Sequence, residues 1–455
     1  MELESRYVIK SVKAREILDS RGNPTIEVEV CTNSGISAIA SSPSGASTGK
    51  NEALELRDGD SKRFLGKGVL RAKANINEKI SSVLIGRSCD NQKEIDSLMI
   101  ETDGTENMRV LGANATTAVS VACAKVAAQA KGIQLYQHIS DLFTKLNKET
   151  KFVNTDAAQF STREPVNTIP VPLMNIINGG KHSGSGLAVQ EFMISPIGAK
   201  DFSESIRMGS EIYHKLGSIL SNKLGISALN VGDEGGFAPS IKDNETVLSF
   251  ISEAVGESGY SLGTDIIFGI DCAASNFWDI KTSKYTIDGK SLSSCELLDY
   301  YISLCDRYPI KIIEDPFAED DLDSFYKITE KIGKKTYVVG DDIFVTDKAR
   351  VQKGINHRAA NSMIIKVNQI GTLTAAMEAV SIARSVSWLI IASHRAGETN
   401  DDWLADFSIG IGAGAIKAGA PARGERVSKY NRLMHIEQME SQLLSYNPML
   451  WFTSI

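Results

Sequence analysis

Several features that mark other classes of protein are missing from this sequence. No apolar run is long enough to span a bilayer, and the opening residues MELESRYVIK lack the charged and apolar regions of a secretory signal. Lysine and arginine form no dense tract, and the net charge is −7, which argues against a nucleic-acid or anionic-membrane partner. We therefore expect a cytoplasmic protein without a membrane span that acts on a small molecule or binds another protein.

Metal-binding and disulfide patterns of cysteine are missing as well. The six cysteines are scattered and include no Cys-x-x-Cys pair, so the sequence predicts neither a disulfide framework nor a zinc site. What the chain does have is 455 residues, of which 42% are apolar. This is enough for a large buried core and too long for one ordinary domain, so we expect two domains, one of them large.

The first part of the chain has the patterns of an α+β domain. The stretch TIEVEVCTN alternates apolar and polar residues, as a half-buried strand does, and ISAIA can pair with it across a turn at NSG. Three helices are expected, at about 62–84, at about 92–101, and from Asn114, a candidate N-cap, to Gly132, a candidate stop.

A polar segment separates this part from the rest. Residues 144–167 follow no period and end close to Pro165, which is typical of a linker or a surface insertion. We place the boundary there. The predicted organisation is an N-terminal domain at 1–143, a second domain at 168–437 and a C-terminal tail at 438–455.

The second domain repeats one pattern. Short β-branched runs each end in a charged or polar residue and are each followed by a helical stretch, and from Glu314 onward these closing residues recur every 25 to 28 residues. Fully apolar strands indicate a parallel sheet covered on both faces, and functional groups at successive strand ends favour a TIM-type barrel over an open doubly wound sheet. The runs are IIFGID, IKIIED, YVVGDD, SMIIKV and WLIIASHR, with Asp271, Glu314, Asp341, Lys366 and His394 at their ends.

The first three of these end residues predict a metal site. Asp271, Glu314 and Asp341 are hard oxygen donors with no nearby His or Cys ligand pattern, which favours Mg²⁺ or Mn²⁺ over zinc. A single carboxylate at a strand end is more often a cap or an ion-pair partner. Three on successive strands favour metal binding.

Three further residues are candidates for proton transfer. Lys366 would lie beside this metal, where a neighbouring cation and partial burial lower the pKa of an ammonium group and make it a candidate general base. The alternative is a salt bridge. Glu191 interrupts an apolar strand and Glu234 precedes two glycines; a buried glutamate beside a second carboxylate has a raised pKa and can act as an acid. The alternatives are a buried ion pair for Glu191 and a plain turn for Glu234.

The chain also resembles the enolase family in stretches that occur in the family's order and cover about residues 7–437. Several of these stretches are long, so chance similarity is negligible. They are AREILDSRGNPTIEVEV, SGASTG, EALELRDGD, LGANA, INGGKHSG, QEFMI, GDEGGFAP, IEDPF, GDD, KVNQIGT, SHRAGET and IKAGAPARGER.

The resemblance implies both a fold and a reaction. The fold is a modified eight-stranded α/β barrel preceded by an α+β domain. The reaction is the reversible dehydration of 2-phosphoglycerate to phosphoenolpyruvate in glycolysis and gluconeogenesis, with two Mg²⁺ ions per site, the second bound with substrate. A homodimer is implied as well.

The resemblance also implies a role for each site residue. Lys366 takes the C2 proton, and Glu234, assisted by Glu191 at the substrate, helps the C3 hydroxyl leave. The other implied contacts are Asp271, Glu314 and Asp341 on the first Mg²⁺, Ser47 of a lid loop at 41–50 on the second, Arg395 on the phosphate, Lys417 on the substrate carboxylate, and His182 and His394 along the pocket.

The sequence departs from the family pattern at several positions. Ala396 stands where the family usually has a serine that faces the phosphate, and one neutral hydrogen bond is worth about 0.5–1.5 kcal/mol. We therefore expect weaker substrate binding. The other departures are Lys181, Ser185 and Gly186 in one loop, Asn276 in place of a glutamate, and His435 in place of an arginine that pairs subunits with a residue matching Glu27.

These departures keep two alternatives open. One is an enolase-like scaffold with weak or no turnover, which would bind a protein partner through residues 144–167 or the apolar tail NPMLWFTSI. The other is a different reaction that begins with the same proton abstraction on another acid. The phosphate-matching residues Arg395 and Ser47 disfavour the second alternative.

Overall fold

The computed structural model of the protein describes residues 6–45, 49–149 and 168–452, and for His182 it describes only the backbone. Ser47, residues 150–167 and the last three residues therefore lie outside the described residues. In the part of the chain that the structure describes, an α+β domain with a small sheet precedes a closed eight-stranded barrel. The predicted fold class is confirmed.

The N-terminal sheet has the predicted alternation. Along its central strand Ile26, Val28 and Val30 are fully buried, and the residues between them are partly exposed. The predicted hairpin is confirmed, with Gly35 at its turn in the left-handed region (φ 86°). The strands are antiparallel: β1 (Ile9–Leu18), β2 (Pro24–Thr32) and β3 (Ser37–Ser41).

The helix expected at about 92–101 is found at Gln92–Asp103, but the first helix of this domain begins later than predicted. The helix expected from residue 62 begins at Leu70, because Phe64 and Leu65 have φ values of 48° and 53° and cannot continue a right-handed helix. The helices are α1 (Leu70–Asn75), which continues through a π-helical turn (Ile76–Ile80) into α2 (Ser81–Leu84), then α3 (Gln92–Asp103), α4 (Ala113–Lys131) and α5 (Leu135–Glu149).

Asn114 is not an N-cap, contrary to the prediction. Helix α4 starts one residue earlier, after Gly112, and the Asn114 amide instead pairs with the backbone of Leu56, accepting from its N–H at 3.1 Å and donating to its carbonyl at 3.2 Å. The predicted stop at Gly132 is confirmed, since this residue ends the helix with a φ of 72°.

Helix α5 extends into the segment 144–167 that the sequence marks as a linker. It ends at Glu149, so the first six residues of that segment are helical. The rest of that segment, residues 150–167, lies outside the described residues.

The second domain is built on barrel strands that are buried along all or nearly all of their length. The barrel strands are β4 (Val171–Asn178), β5 (Glu191–Pro196) and β6 (Ile266–Asp271). Three short strands then form a separate sheet, β7 (Trp278–Asp279), β8 (Lys284–Ile287) and β9 (Lys290–Leu292). The barrel continues with β10 (Ile310–Glu314), β11 (Tyr337–Gly340), β12 (Ser362–Ile365), β13 (Leu389–Ser393) and β14 (Ala415–Lys417).

One barrel strand runs against the others. Strand β5 is antiparallel to β4 and to β6, whereas the remaining neighbours are parallel. The first residue of β5, Glu191, therefore pairs with the last residues of its neighbours, Asn178 and Asp271. The reversal explains how a residue at the start of a strand reaches the carboxyl end of the barrel, where TIM-type sites lie.

Helices cover the outside of the barrel and several begin at capped residues. Four N-cap side chains accept backbone N–H groups of the first turn, namely Asp201, Asp243, Asp347 and Thr372. Each such cap stabilises the folded state by about 1 kcal/mol. No helix among the described residues has the length and apolar character to cross a bilayer. The helices are α6 (Phe202–Leu224), α7 (Asn244–Glu257), α8 (Ser294–Arg307), α9 (Leu322–Ile332), α10 (Lys348–Asn356), α11 (Val367–Ile370), α12 (Leu373–Arg384), α13 (Trp403–Gly410), α14 (Gly424–Met439) and α15 (Met449–Phe452).

The C-terminal tail closes the amino end of the barrel. Phe452 is buried in the cluster formed by Leu173, Ile312 and other inward-facing strand residues. Tyr337 donates a hydrogen bond to the carbonyl of Trp451 at 2.6 Å. The described end of the tail is thus occupied by contacts within the chain, which counts against the idea that it docks on a protein partner.

Candidate active site

Four of the five residues predicted from the strand ends line one buried cavity, and the fifth, Glu314, reaches it only through its contact with Lys417. Asp271, Asp341, Lys366 and His394 all contribute to its wall, together with Lys417 at the end of β14. They meet because the carboxyl ends of neighbouring parallel strands lie at the same edge of a barrel. Glu191, Glu234, Arg395 and Ala396 complete the set of expected residues on this wall.

Lys417 is the cation on which three carboxylates converge. Its Nζ lies 2.9 Å from Glu191 Oε2, 2.9 Å from Asp271 Oδ2 and 2.9 Å from Glu314 Oε2. Burial acts to lower the pKa of Lys417, but Asp271, Glu191 and Glu314 outweigh it and raise the pKa well above its ordinary value. Burial and the charge of Asp271 in turn raise the pKa of Glu314 well above its usual range.

Lys366 forms a second, partly buried pair with Asp341. The ammonium group donates to Asp341 Oδ2, and Gln369 Nε2 donates to the other oxygen at 2.9 Å. Burial favours a raised pKa for Asp341, but the Lys366 charge reverses this and the pKa is lowered. Burial acts to lower the pKa of Lys366, but the charge of Asp341 outweighs it and the pKa is raised. The lowered pKa expected beside a bound metal ion stays a prediction.

The predicted metal ligands fit a hard cation in their chemistry. Asp271 and Glu314 place oxygens around one ammonium group, which shows that this set accepts a positive charge. Asp341 lies one strand further on and contacts Lys366. Oxygen-only donors of this kind suit Mg²⁺.

A different group of carboxylates is packed more closely. Among the described residues, Asp315, Asp341 and Asp342 offer oxygens within 4.8 Å of one another. Asp315 accepts the backbone N–H groups of Asp341 at 2.9 Å and Asp342 at 2.8 Å, so its carboxylate fixes the turn after β11. Burial and the neighbouring Asp341 raise the pKa of Asp342 to about 7.

Glu234 is carried into the cavity by a tight turn. Gly235 has a φ of 86°, and a side chain on Gly236 would lie 2.7 Å from Asn178 Oδ1, so both positions require glycine. Asn175 donates to Glu234 Oε2 at 2.9 Å, and His394 Nε2 lies 3.4 Å from the other oxygen.

His394 is a neutral hydrogen-bonding residue at neutral pH. Burial lowers its pKa to about 4. Arg426 donates to His394 Nδ1 at 2.7 Å, so the ring proton must sit on Nε2, which faces Glu234. The sequence predicted His394 at the pocket, and the structure places it between a cation and a candidate acid.

Arg426 holds the turn that carries the predicted phosphate-binding residue. It is fully buried and donates to the carbonyls of Arg395 and Ala396, at 2.6 Å each, and to that of Asp233 at 3.0 Å. No role for Arg426 was expected from the sequence. Its place in IKAGAPARGER, two residues after the glycine that begins helix α14, was the one available signal.

Arg395 is paired with a residue of the N-terminal domain. Its Nη1 and Nη2 each lie 3.0 Å from Glu52 Oε2, and both residues are buried. Gln190, another residue not singled out from the sequence, donates to Asp271 Oδ2 at 3.2 Å. Glu52 and Gln190 were missed because a single carboxylate and a single amide outside the strand-end pattern have no periodicity that points to a site.

Two expected site residues lie outside what the structure describes. Ser47 falls in the gap at 46–48, and the side chain of His182 is not described. The flank of the lid loop is anchored on the barrel, since Ser44 and Gly397 exchange backbone hydrogen bonds of 2.7 and 2.9 Å. Their predicted roles stay predictions.

The departures from the family pattern have clear positions. Ala396 is 5% exposed and lies on the cavity wall. The absence of a hydroxyl at this position therefore removes a possible hydrogen bond to a molecule bound in the cavity. Ser185 is buried and its hydroxyl lies 2.8 Å from that of Ser183 within the 181–186 loop. His435 is exposed, and Glu27 pairs with Arg15 of the same chain at 3.2 Å.

Comparison with known proteins agrees with the geometry. Residues 9–139 match the family model "Enolase, N-terminal domain", and residues 166–450 match "Enolase, C-terminal TIM barrel domain". The chain belongs to the enolase family. It is 48% identical to enolase B of Dictyostelium discoideum over 441 residues, 94% of each chain, and 48% identical to an enolase of Methanococcoides burtonii over 435 residues, 96% of each.

Membership of the enolase family confirms the resemblance on which the residue roles were based. Because the chain is 48% identical to enolases over nearly its full length, it is an enzyme of the lyase class. The family match does not by itself assign a role to any one side chain.

Proposed function

We propose that this enolase-family protein catalyses the reversible, Mg²⁺-dependent dehydration of 2-phosphoglycerate to phosphoenolpyruvate in glycolysis and gluconeogenesis. The proposal depends on one observation: a single buried cavity is lined by four chemically suited residues, Lys366, Glu234, Lys417 and Arg395. It combines a candidate base, a candidate acid and two cations suited to an anionic substrate. The kinship with curated enolases supports the same reaction.

Lys366 is the proposed base. Its Nζ would accept the proton from C2, and the electron pair of the broken C–H bond would move toward the substrate carboxylate. The lysine must first give up its own proton, and in the described state it is held charged by Asp341. Loading of the site therefore has to change that balance before the proton can be taken.

Glu234 is the proposed acid for the second half of the reaction. As the C3–O bond breaks and the C2–C3 double bond forms, Glu234 would donate the proton that makes hydroxide leave as water. Asn175 and the neutral His394 fix its two oxygens, and Glu191 assists from the start of β5. Base and acid are thus separate groups, so each proton has its own carrier.

The remaining contacts orient the substrate. Arg395 would bind the phosphate through a planar fork suited to its oxygens, and Lys417 would bind the carboxylate. His182 and His394 would border the substrate. Holding both ends of the molecule fixes C2 and C3 relative to Lys366 and Glu234.

Two magnesium ions are part of the proposal. Asp271, Glu314 and Asp341 would hold the first, and Ser47 of the lid at 41–50 would complete the second when substrate binds. When bound, Mg²⁺ supplies stabilisation of the negative charge that gathers on the substrate carboxylate.

The proposal includes the domain limits, oligomer and location expected from the sequence. The limits are 1–143, 144–167, 168–437 and 438–455, and the protein is expected to be a cytoplasmic homodimer. An exposed His435 in place of the usual arginine would leave the dimer without one charge pair to Glu27.

The direct test is a steady-state assay of phosphoenolpyruvate formation from 2-phosphoglycerate, with Mg²⁺ titrated from zero. We expect turnover that rises with Mg²⁺ and is lost on chelation. Saturating Mg²⁺ without turnover, combined with intact folding, would instead favour an enolase-like scaffold. Turnover of an unphosphorylated 2-hydroxy acid would favour a related reaction.

Restoring the missing hydroxyl should tighten substrate binding. In Ala396→Ser the added group can donate one hydrogen bond toward the phosphate, worth about 0.5–1.5 kcal/mol, so KM for 2-phosphoglycerate should fall by about 2- to 12-fold. Ala396→Cys is the matched control, because its thiol has similar size but is a weak donor. Equal KM values in the two variants would contradict the role given to this position.

A further inference from the structure

Glu52 is a buried carboxylate of the N-terminal domain that reaches the cavity of the barrel. Its side chain is 5% exposed, and its Oε2 lies 3.0 Å from Nη1 and 3.0 Å from Nη2 of Arg395. No role for Glu52 was expected from the sequence, and the mechanism above does not use it.

The contact fixes the orientation of the guanidinium group. Asn368 Oδ1 accepts a second hydrogen bond from Arg395 Nη1 at 3.1 Å, and Asn368 itself donates to the carbonyl of Pro43 at 3.3 Å. A planar fork held by acceptors at its terminal nitrogens cannot rotate freely about its last bonds. Arg395 therefore presents one fixed edge to whatever anion enters the cavity.

The Glu52 carboxylate also contacts the flank of the lid loop and is connected through Gln369 and Asp341 to Lys366. Glu52 Oε1 accepts the backbone N–H of Gly49 at 3.0 Å and the amide of Gln369 at 3.4 Å. Gln369 also donates to Asp341, the partner of Lys366. One side chain thus joins the flank of the lid loop, Arg395 and the turn that follows β12.

We propose that Glu52 is a positioning residue, which orients Arg395 for a phosphate group and couples the 49–52 flank of the lid loop to that arginine. This inference rests on the proposed function. Simple competition is the opposite role, in which Glu52 only neutralises Arg395 until an anion replaces it. The two roles differ in the sign of the effect when the carboxylate is removed, because a competitor's loss tightens anion binding and a positioner's loss weakens it.

The test compares Glu52→Gln with Asp406→Asn. Asp406 is also a buried carboxylate paired with an arginine, Arg432, at 2.7 Å, but it does not border the cavity. For Glu52→Gln we expect the dissociation constant of inorganic phosphate, measured by calorimetry, and KM for 2-phosphoglycerate to rise together by about 10- to 100-fold, with a smaller change in kcat. Asp406→Asn should change neither by more than about twofold.

Values for Glu52→Gln that match those of Asp406→Asn, or that show tighter phosphate binding than wild type, would overturn the proposal. Should Glu52→Gln fail to fold, Glu52→Asp keeps the charge on a shorter arm and is expected to show the same direction of change. If the wild-type protein does not turn over 2-phosphoglycerate, the proposed reaction is refuted. The phosphate titration is independent of turnover and would still decide the role of Glu52.

A double-mutant cycle shows whether Glu52 acts through Arg395. In an Arg395→Lys background the planar fork is gone, so Glu52→Gln should raise the phosphate dissociation constant by no more than about twofold further. An undiminished effect in that background would mean that Glu52 acts elsewhere, and would refute the positioning role.

Discussion

Replacing Lys366 with alanine is expected to reduce turnover of 2-phosphoglycerate by about 10²- to 10⁴-fold, the usual contribution of a positioned acid or base. The reason is geometric. Lys366 follows β12 directly, lies partly buried at the cavity wall and is the cation nearest to Asp341. No water molecule at the same place would have its basicity and fixed position.

The measurement is kcat at saturating substrate and Mg²⁺, with Mg²⁺ affinity followed in parallel by calorimetry. Lys348→Ala is the control, since this lysine pairs with Glu378 at 2.7 Å on the surface and takes no part in the cavity. We expect Lys366→Ala to keep Mg²⁺ binding. A variant that retained a tenth or more of wild-type turnover would contradict the role of Lys366 as the base.

Replacing Lys417 with methionine is expected to give the largest loss of stability among the changes considered. The substitution keeps most of the side-chain volume but leaves Glu191, Asp271 and Glu314 without the ammonium group that they share at 2.9 Å. Removing one partner of a buried ion pair costs about 3–5 kcal/mol. Turnover should be lost as well, because the substrate carboxylate loses its cation.

The stability effect should depend on metal, and this makes the prediction specific. Without Mg²⁺, the unfolding midpoint of Lys417→Met in denaturant should fall well below that of wild type. Saturating Mg²⁺ should recover part of the difference, since the carboxylates then have another cation to bind. The matched control is Lys429→Met: Lys429 is a buried lysine that pairs with Glu398 at 2.9 Å away from the carboxylate cluster. Its loss should not respond to Mg²⁺, and an equal response in both variants would refute the account of Lys417.

The barrel and much of its site were predictable because they depend on local order along the chain. Each apolar run specifies a buried strand, and the residue that closes it reaches the same edge as its neighbours once the barrel forms. Asp271, Glu314 and Lys366 follow this rule. The period of strand and helix therefore carried information about the site as well as about the fold.

What the sequence alone did not reveal depends on contacts between distant parts of the chain. Glu191 was suspected as an odd residue in an apolar strand, but its position became understandable only when β5 proved antiparallel. Glu52 and Arg395 are 343 residues apart, and their pairing exists only because the two domains dock. Helix limits depended on backbone details, such as the positive φ values at Phe64 and Leu65.

The pairing of charges inside the site was not predictable from the sequence. The sequence predicts a lowered pKa for Lys366 beside a bound metal ion, and this stays a prediction. In the structure burial acts to lower the pKa of Lys366, but the charge of Asp341 outweighs it and raises the pKa. A strand-end pattern cannot order charges that lie within a few ångströms of one another.

The measurement that tests the central claim most directly is exchange of the C2 proton of 2-phosphoglycerate in D₂O, followed by proton NMR with Mg²⁺ present. It isolates proton abstraction from loss of the hydroxyl. We expect wild type to exchange this proton, Glu234→Gln to exchange it while forming little phosphoenolpyruvate, and Lys366→Ala to do neither. Exchange that persists in Lys366→Ala, or that is absent in the wild-type protein, would contradict the assignment of Lys366 as the base of this site.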